Sequence, residues 1–407
     1  MGKLRRILGK VISVYREKGI KGVLDRIDAN CSKIDVYGFY GYTVDRKPIP
    51  LNPQEKNELG GRMVVNWVIP DLNVGSGGHM NIFRFITHLE NMGLHNRIYL
   101  FDSRRFENDE EFRAFLSEHY GATLSNPEIE AFNSVSNMTY AQATVATGWQ
   151  TAYFVRNYEN TDVKYYFVQD FEPSFFPMGS EYLLAENTYR FGFKGITAGE
   201  WLKNKLNKEY GMETDSFQFS YDKDIYQKKE KKDSAKRLFF YARPVTPRRA
   251  FELGLLALME LYKRMPDIEV IFAGWDVSNY EIPFTHRNSG SVKLEELSDL
   301  YAQCDMCLVM STTNLSLLPL EIMASNSVVV CSAGENNEWM LNEENAILVS
   351  YDPVEIANTL EYYLRHKDKL EEKRQAGLEF VEKTDWELEA RKVYDIILRG
   401  IQKDDGS

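Results

Sequence analysis

Short apolar runs alternate with amphipathic stretches along most of the chain. Runs rich in β-branched residues that stop at a turn residue, as residues 63–69 stop at Pro70, are typical of buried strands. By this pattern we expect strands over residues 63–69, 97–101, 144–147, 164–168, 194–197, 237–241, 269–273, 306–310 and 327–331. Patterns of helical period separate them, over residues 79–92, 185–189, 200–210, 250–263, 294–303 and 319–325 and from Pro353 onward.

The alternation of strands and helices predicts parallel sheets joined by right-handed crossovers. A lysine-rich polar stretch near residues 222–235 interrupts it once, and we interpret this stretch as a linker. The expected fold class is therefore α/β, with two doubly wound Rossmann-like domains that face each other across a cleft. Residues 1–60 are predicted to hold an N-terminal helix followed by an irregular connector over 31–60. The first domain is predicted over 61–222 and the second over 223–384. A C-terminal helix over 385–407 could cross back to the first domain.

Composition and charge narrow the class of protein. The chain has 407 residues and a net charge of −11, which argues against a general nucleic-acid binder. It contains no run of about 18 apolar residues and no signal-peptide pattern, so we expect a cytoplasmic protein without a membrane-spanning helix. Its four cysteines fit a reducing compartment, and we interpret Cys304 and Cys307 as core thiols rather than as a zinc site.

The first 30 residues depart from this acidic composition. They hold eight basic and three acidic side chains, a balance of +5 that leaves −16 for the rest of the chain. Leu4, Ile7, Leu8 and Val11 recur at spacings of three and four, which predicts a basic amphipathic helix. Such a helix either docks on its own domain or lies peripherally on an anionic membrane surface, here the inner face of the plasma membrane. The sequence supports both interpretations.

A glycine-rich loop, residues 75–78, follows the first predicted strand and precedes a helix. Backbone amides of Gly77 and Gly78 could approach a phosphate there, although a tight turn would by itself explain a glycine. The loop fails the dinucleotide fingerprint because Met80 stands where the third glycine is needed. Asp102, at the end of the next strand, keeps a nicotinamide-dependent enzyme as a minor alternative.

Two candidate anion-binding segments lie in the second half. Arg243 follows a strand and Arg248 precedes a helix, so the pair could bind a diphosphate in the cleft or remain solvated. Residues 311–324 follow a later strand and contain a proline suited to the first turn of a helix. The amides of residues 316–318 would then lie at a helix N-terminus that suits an anion, with Glu321 in the first turn.

Together these two segments resemble glycosyltransferase family 4, whose members have the GT-B fold. Arg243 and Arg248 match the arginine and lysine of the family's turn G-R-L-x-x-x-K-G. Residues 313–321 match its segment E-P-F-G-L-V-P-L-E, with identity at Leu317, Pro319, Leu320 and Glu321. The resemblance covers residues 235–385 well, and the first domain through its layout and glycine loop. It is nearest to the rhamnosyltransferases of S-layer glycan synthesis.

The resemblance implies a role for each matching residue. Arg243 and Arg248 would bind the diphosphate of a nucleotide-sugar donor in the second domain, and Glu321 would bind the ribose. The first domain would bind the acceptor. The remaining donor contacts that the resemblance implies are the amides of Leu315, Ser316, Leu317 and Leu318 and the glycine-loop residues Gly77 and Gly78. No cofactor is implied.

The chain departs from the family at Thr313, which replaces the first motif glutamate, a residue that contacts sugar hydroxyls in the family. A hydroxyl is a shorter and weaker acceptor than a carboxylate, so the donor sugar should not be held as glucose or mannose would be. L-rhamnose is compatible. The resemblance thus implies retaining transfer from dTDP-L-rhamnose to a lipid-linked or oligosaccharide rhamnan acceptor. The alternative is a catalytically silent relative that only binds a glycan or nucleotide.

Two carboxylates of the first domain are candidates for activating the acceptor hydroxyl. Asp170 and Glu172 follow a strand at the expected cleft, where either could polarise an acceptor hydroxyl or simply cap a turn. His79 follows the glycine loop and is either a ligand to donor or acceptor or a helix-start residue. We expect no metal site, because arginines can neutralise the leaving diphosphate and the Asp222 to Asp224 pattern lies in the charged linker.

Overall fold

The computed structural model describes residues 34–72, 76–103 and 105–404. The predicted basic N-terminal helix and Gly75 of the glycine loop lie outside these residues. Residues up to Lys47 belong to a unit separate from the rest of the chain, and the two domains with the linker between them lie in the second unit.

Short helices occur in the region predicted to be irregular, residues 31–60. Asp35 and Asn52 each accept a hydrogen bond from a backbone amide two or three residues ahead, which starts helix α1 (Val36–Tyr40) and helix α2 (Pro53–Glu58). The prediction is wrong for these two helices because a local cap can start a helix of five or six residues, which is too short to show a period.

Thirteen strands occur in the described part of the chain. They are β1 (Val64–Ile69), β2 (His95–Leu100), β3 (Glu130–Phe132), β4 (Ala141–Ala146), β5 (Thr161–Val168), β6 (Lys194–Ala198), β7 (Thr214–Phe217), β8 (Arg237–Tyr241), β9 (Glu269–Ala273), β10 (His286–Asn288), β11 (Met306–Val309), β12 (Val328–Ser332) and β13 (Ile347–Val349). The central strands are buried along their whole length, as β1 and β11 show, which explains their continuous apolar sequences.

Helices fill the connections between the strands. They are α3 (Gly77–Asn91), α4 (Asp109–Tyr120), α5 (Trp149–Asn157), α6 (Ser180–Asn187), α7 (Glu200–Tyr210), α8 (Phe251–Arg264), α9 (Leu294–Ala302), α10 (Leu318–Ala324), α11 (Glu335–Glu338), α12 (Pro353–Arg365), α13 (Lys367–Val381) and α14 (Trp386–Asp404). Side chains cap the starts of some of these helices. Asp352, for example, accepts the amides of Val354 and Glu355 at the start of α12, with Pro353 in the first turn.

The strands form two parallel sheets with the same winding. The first has the order β3-β2-β1-β4-β5-β6-β7, and the second has the order β10-β9-β8-β11-β12-β13. In both, the strand order reverses beside the first strand of the sheet, between β1 and β4 and between β8 and β11. The predicted class, two doubly wound Rossmann-like domains, is confirmed. Ligands of such sheets bind beyond the carboxyl ends of the strands at this reversal.

The C-terminal helix α14 lies against the first sheet rather than the second. The hydroxyl of Tyr165, on β5, donates to Ile396 O at 2.9 Å, and the amide of Gln218 donates to Glu389 Oε2 at 2.7 Å. Near the start of α14, the guanidinium of Arg84 lies 4.5 Å from the Trp386 ring centroid. The end of the chain therefore packs on the domain in which the chain's first strand lies.

The two domains contact each other closely near the carboxyl ends of their sheets. Gly199, after β6, has a φ of +87°, and a Cβ at this position would lie 2.5 Å from the Trp339 ring of the second domain. Asn314 Nδ2 donates to Gln169 O and to Ala198 O, both at 2.8 Å. These contacts set the carboxyl ends of the two sheets opposite each other. The predicted boundaries at residues 60, 222 and 384 stay predictions.

Candidate functional site

The arginine turn of the second domain lies at the carboxyl end of β8. Arg243 Nη1 donates to Gly274 O at 3.2 Å, and its guanidinium lies 5.8 Å from the Trp275 ring centroid. Arg249 Nη1 donates to Ser311 Oγ at 2.7 Å, so this arginine ties the turn to the end of β11. Arg243 and the loop after β11 thus lie on either side of the strand-order reversal. Their role in donor binding stays a prediction.

Arg248 reaches across to the first domain. Its Nε lies 3.5 Å from Asp170 Oδ2, and its guanidinium lies 4.2 Å from the ring centroid of Phe175. The buried Nε has no hydrogen-bond partner among the described residues. Burial lowers the pKa of the Arg248 guanidinium, while the Asp170 carboxylate opposes this shift. Arg248 therefore carries a positive charge in a poorly solvated place and retains a free donor for an anion.

The loop after β11, residues 310–317, is held by a dense network of hydrogen bonds. Ser311 Oγ donates to Asn314 O at 3.0 Å, and Asn336 Nδ2 donates to Ser311 O at 3.2 Å. The amide of Leu315 donates to Asn336 O at 3.2 Å. Within the described residues this hydrogen bond already uses the Leu315 amide. The donor contacts expected of the amides of residues 316–318 stay predictions.

Asp170 bridges the two domains at the centre of the cleft. Its Oδ2 accepts from Thr313 Oγ1 at 2.9 Å, and its Oδ1 accepts from the Asn314 amide at 2.9 Å. Thr313 and Asn314 are buried. The residue that replaces the family's glutamate thus contacts a carboxylate supplied by the other domain.

Glu172, two residues later, turns the opposite way and is buried inside the first domain. Its Oε2 accepts from the Trp149 amide at the start of α5, and its Oε1 accepts from the Tyr166 hydroxyl, both at 2.7 Å. Burial raises the pKa of the Glu172 carboxyl to about 7, although both hydrogen bonds favour the ionised form. These contacts favour the capping alternative for Glu172. Its role in turnover stays a prediction.

Glu321, on α10, contacts the linker and lies near the first domain. The half-buried carboxylate accepts a hydrogen bond from the Tyr226 hydroxyl, and the positive charge of Arg84 on α3 acts on it. Burial raises the pKa of Glu321 to about 7 against both influences. Arg84 is itself held by Asn81, whose Oδ1 accepts from its Nη1 at 2.8 Å. Glu321, which we expected to bind the ribose, therefore lies where the linker, the first domain and the second domain meet.

Gly78, in the described part of the glycine loop, lies beside the turn that carries Asp170. Gln169 Nε2 donates to Gly78 O at 2.9 Å, and a Cβ on Gly78 would lie 3.5 Å from that nitrogen. Gly77 and Gly78 are exposed at the start of α3, and a Cβ on Gly77 would meet nothing within 4 Å. Open space above an exposed backbone is what close approach of a ligand requires.

His79 is the third residue of α3. Burial lowers the pKa of its imidazole to about 4, which keeps the ring neutral near pH 7. Its Nδ1 is buried without a hydrogen-bond partner among the described residues, as is Ser316 Oγ in the loop before α10. Unpaired buried polar atoms are rare in folded proteins and call for an explanation. A ligand in the cleft would supply one.

Several site residues were not predicted from the sequence. Asn314, Arg84 and Tyr226 each make a contact that crosses between domains or linker. Asn314 lies within the predicted segment 313–321 but is not identical to the motif residue there, and Arg84 and Tyr226 belong to no predicted motif. Phe175 is 40% exposed and its ring contacts the Arg248 guanidinium. A single aromatic residue in a loop gives no sequence signal for such a contact. No group of three or more His, Cys, Asp or Glu side chains within the described ranges could hold a metal ion.

Comparison with known proteins adds the family. A family model described as the N-terminal domain of WsaF matches residues 78–198, and one described as the WsaF C-terminal domain matches residues 236–361. The O-antigen biosynthesis protein RfbC of Myxococcus xanthus is 31% identical over 339 residues, which cover 80% of this chain and 26% of that protein. The chain therefore spans about a quarter of the length of this curated relative.

Solved structures share the fold. Sucrose-phosphate synthase from Thermosynechococcus elongatus matches with a TM-score of 0.63 at 13% identity, over 83% of this chain and 99% of that one. Alr3699/HepE from Anabaena, solved in complex with UDP and glucose, matches with a TM-score of 0.62 at 12% identity, over 83% of this chain and 100% of that one. The GT-B fold expected from the sequence is confirmed.

Proposed function

The chain belongs to the WsaF family of glycosyltransferases, and we propose that it transfers L-rhamnose from dTDP-L-rhamnose to a growing rhamnan glycan. The acceptor would be a lipid-linked or free oligosaccharide. The name of the relative RfbC, an O-antigen biosynthesis protein, supports a polysaccharide product. Membership in family 4, the identity of the donor and the stereochemistry of transfer are parts of this proposal.

One observation supports the proposal most directly. Arg243 and Arg248 lie at the carboxyl end of β8, beside the strand-order reversal, and Arg248 keeps a buried nitrogen without a partner among the described residues. Guanidinium groups at such a position suit a nucleoside diphosphate, because each can donate two parallel hydrogen bonds to phosphate oxygens. The Anabaena structure with the same fold holds UDP, a nucleoside diphosphate.

The proposed reaction uses the donor phosphate itself as the base. The bond from sugar C1 to the phosphate oxygen breaks, and the acceptor oxygen forms its bond to C1 on the same face. The acceptor proton passes to the departing phosphate oxygen. Arg243 and Arg248 would stabilise the negative charge that develops on the diphosphate, which is the role that electrostatic groups take in such transition states.

The assignment of Arg243 is tested by nucleotide binding. In Arg243→Ala we expect dTDP binding to weaken by about 1.5–3 kcal/mol, the cost of one charge-assisted hydrogen-bonded pair. Titration calorimetry with dTDP measures the change. Arg287→Ala is the matched control, since Arg287 is an exposed arginine of the same domain. Unchanged dTDP affinity in Arg243→Ala would remove this residue from the site.

A transfer assay tests the donor and the class of function. We expect the wild-type chain to release dTDP from dTDP-L-rhamnose in the presence of a rhamnan oligosaccharide, and more slowly from dTDP-glucose or UDP-glucose. The silent alternative is motivated by Thr313, whose hydroxyl already donates to Asp170. Tight dTDP binding without turnover on any rhamnan acceptor would favour that alternative.

A further inference from the structure

The Asp170 carboxylate lies in a cradle of hydrogen-bond donors, most of which belong to the opposite domain. The Asn314 amide donates to Oδ1 and the Thr313 hydroxyl donates to Oδ2, both at 2.9 Å, and Arg248 Nε lies 3.5 Å from Oδ2. The Phe171 amide, from the same turn as Asp170, donates to Oδ1 at 2.8 Å. We call the three donors of the second domain, Arg248 Nε, Thr313 Oγ1 and the Asn314 amide, the anion cradle.

The chemistry of the anion cradle suits any small oxyanion. A guanidinium, a hydroxyl and a backbone amide that converge on two oxygens are the groups with which proteins bind phosphate. The fit to Asp170 is incomplete, because Arg248 Nε forms no hydrogen bond although it is buried. A tetrahedral phosphate presents more oxygens than a carboxylate and can reach this nitrogen as well.

Contacts other than those of Asp170 also join the two domains. Asn314 Nδ2 donates to Gln169 O and Ala198 O at 2.8 Å, and these contacts use a different group of the same residue. Trp339 Nε1 donates to Asn314 Oδ1 at 2.9 Å and holds this side chain from the second domain. The Asp170 side chain could therefore leave the cradle while the loop keeps its position.

We propose that the anion cradle is a phosphate subsite for a nucleoside diphosphate, and that Asp170 occupies it only until the nucleotide binds. This inference rests on the proposed function. It adds the Asn314 amide to the donor site and assigns Thr313 to the phosphate rather than to the sugar. Asp170 then competes with the nucleotide for Arg248. When the nucleotide displaces it, its carboxylate is released beside the bound donor, at the side of the cleft that belongs to the first domain.

Competition between Asp170 and the nucleotide predicts the direction in which dTDP affinity changes when the Asp170 carboxylate is removed. Removal of an ordinary binding residue weakens binding, whereas removal of an internal competitor strengthens it. In Asp170→Ala we expect dTDP to bind about tenfold more tightly than in the wild-type chain, as loss of one competing charged contact would give. Asp170→Asn keeps the size of the side chain but loses its charge, and should shift affinity in the same direction. Asp224→Asn, which removes an exposed carboxylate of the linker, is the control for net charge.

A second substitution identifies the cradle. In the Asp170→Ala background, Thr313→Val should weaken dTDP binding severalfold, because the hydroxyl would then contact phosphate. Thr312→Val is the matched control and should leave affinity unchanged. Its hydroxyl and its amide both donate to Arg248 O, at 3.2 and 2.9 Å, so the amide keeps the turn in place.

Titration calorimetry of these variants with dTDP, and with inorganic pyrophosphate as a second probe, decides the question. Thermal unfolding of each variant verifies that it is folded. Tighter binding in both Asp170 variants, lost with Thr313→Val, supports the subsite. If both Asp170 variants bind dTDP as tightly as the wild-type chain or more weakly, Asp170 does not compete with the nucleotide. That result would overturn this inference and leave the proposed function standing. If neither the wild-type chain nor Asp170→Ala binds dTDP or pyrophosphate, the proposed function fails together with this inference.

Discussion

Protonation of the buried carboxyl of Glu172 should make the stability of this protein depend on pH. Burial raises the pKa of Glu172 from 4.5 to about 7 in the folded chain. Each pKa unit corresponds to about 1.4 kcal/mol, so this carboxyl changes the free energy of unfolding by about 3 kcal/mol in total. The folded state binds the proton more tightly than the unfolded state does. The contribution is therefore complete below about pH 4.5 and is lost as the pH rises through 7.

Glu172→Gln isolates this contribution, because the amide stays neutral at every pH. We expect the free energy of unfolding of Glu172→Gln, minus that of the wild-type chain, to rise by about 3 kcal/mol between pH 4.5 and pH 8. Urea unfolding followed by tryptophan fluorescence at four pH values measures it. Burial also raises the pKa of Glu321 to about 7, but its contribution is present in both chains and cancels in the difference. Glu58→Gln, at an exposed glutamate, is the control.

The same variant separates the two roles proposed for Glu172. If this residue only caps α5 and holds Tyr166, then Glu172→Gln keeps most of its kcat at pH 7 and at a temperature where it is folded. A large loss of kcat with unchanged dTDP affinity would return it to the catalytic candidates. A difference in unfolding free energy that stays flat from pH 4.5 to pH 8 would refute the burial argument itself.

Three further predictions follow from other parts of the chain. Transfer should continue in EDTA, and complete loss that Mg²⁺ or Mn²⁺ restores would contradict metal independence. The full chain should sediment with anionic vesicles more than a chain beginning at Ser32 does. High salt should release it, because each basic residue near the membrane surface contributes about 1 kcal/mol of binding that salt screens. Equal sedimentation of both chains would indicate a helix docked on its own protein. Gly199→Ala should destabilise the fold by more than about 1 kcal/mol in thermal unfolding, because φ is +87° and Trp339 fills the space; an unchanged midpoint would refute that packing.

Membrane contact stays a prediction, and two structural observations bear on it. None of the helices in the described ranges is long and apolar enough to cross a bilayer. Ile34, Val36, Tyr37 and Phe39 expose most of their apolar surface directly after the basic segment. Exposed aromatic and aliphatic side chains suit the interface of a membrane, where apolar groups insert among the headgroups.

The local pattern of the sequence was sufficient for the central elements of both sheets. The bounds of β8 (Arg237–Tyr241), β9 (Glu269–Ala273) and α7 (Glu200–Tyr210) agree with the predicted ones to the residue. Such elements carry their period within themselves, since a buried strand is apolar throughout and a surface helix repeats every three to four residues. The winding followed from their alternation, and the arginine turn and the segment before Glu321 followed from motifs at strand ends.

Elements at the edges of the sheets could not be predicted in this way. Strands β3, β7, β10 and β13 have three or four residues each, and β10 reads His-Arg-Asn. A strand this short shows no alternation, and its polar side chains resemble those of a loop. It becomes a strand only because a neighbouring strand offers unpaired backbone groups, as β9 does to β10.

For the candidate site as well, some features follow from the local sequence and others only from the tertiary structure. The sequence determined which segments could meet an anion, because strand ends, glycines and arginines carry that information locally. Only the tertiary structure decided that Asp170 faces Thr313 across the cleft while Glu172, two residues away, turns into the core under α5. It also brought Arg84 near Glu321, 237 positions further along the chain. Such pairings depend on how two folded domains and a returning helix pack, and no local period of the sequence records that packing.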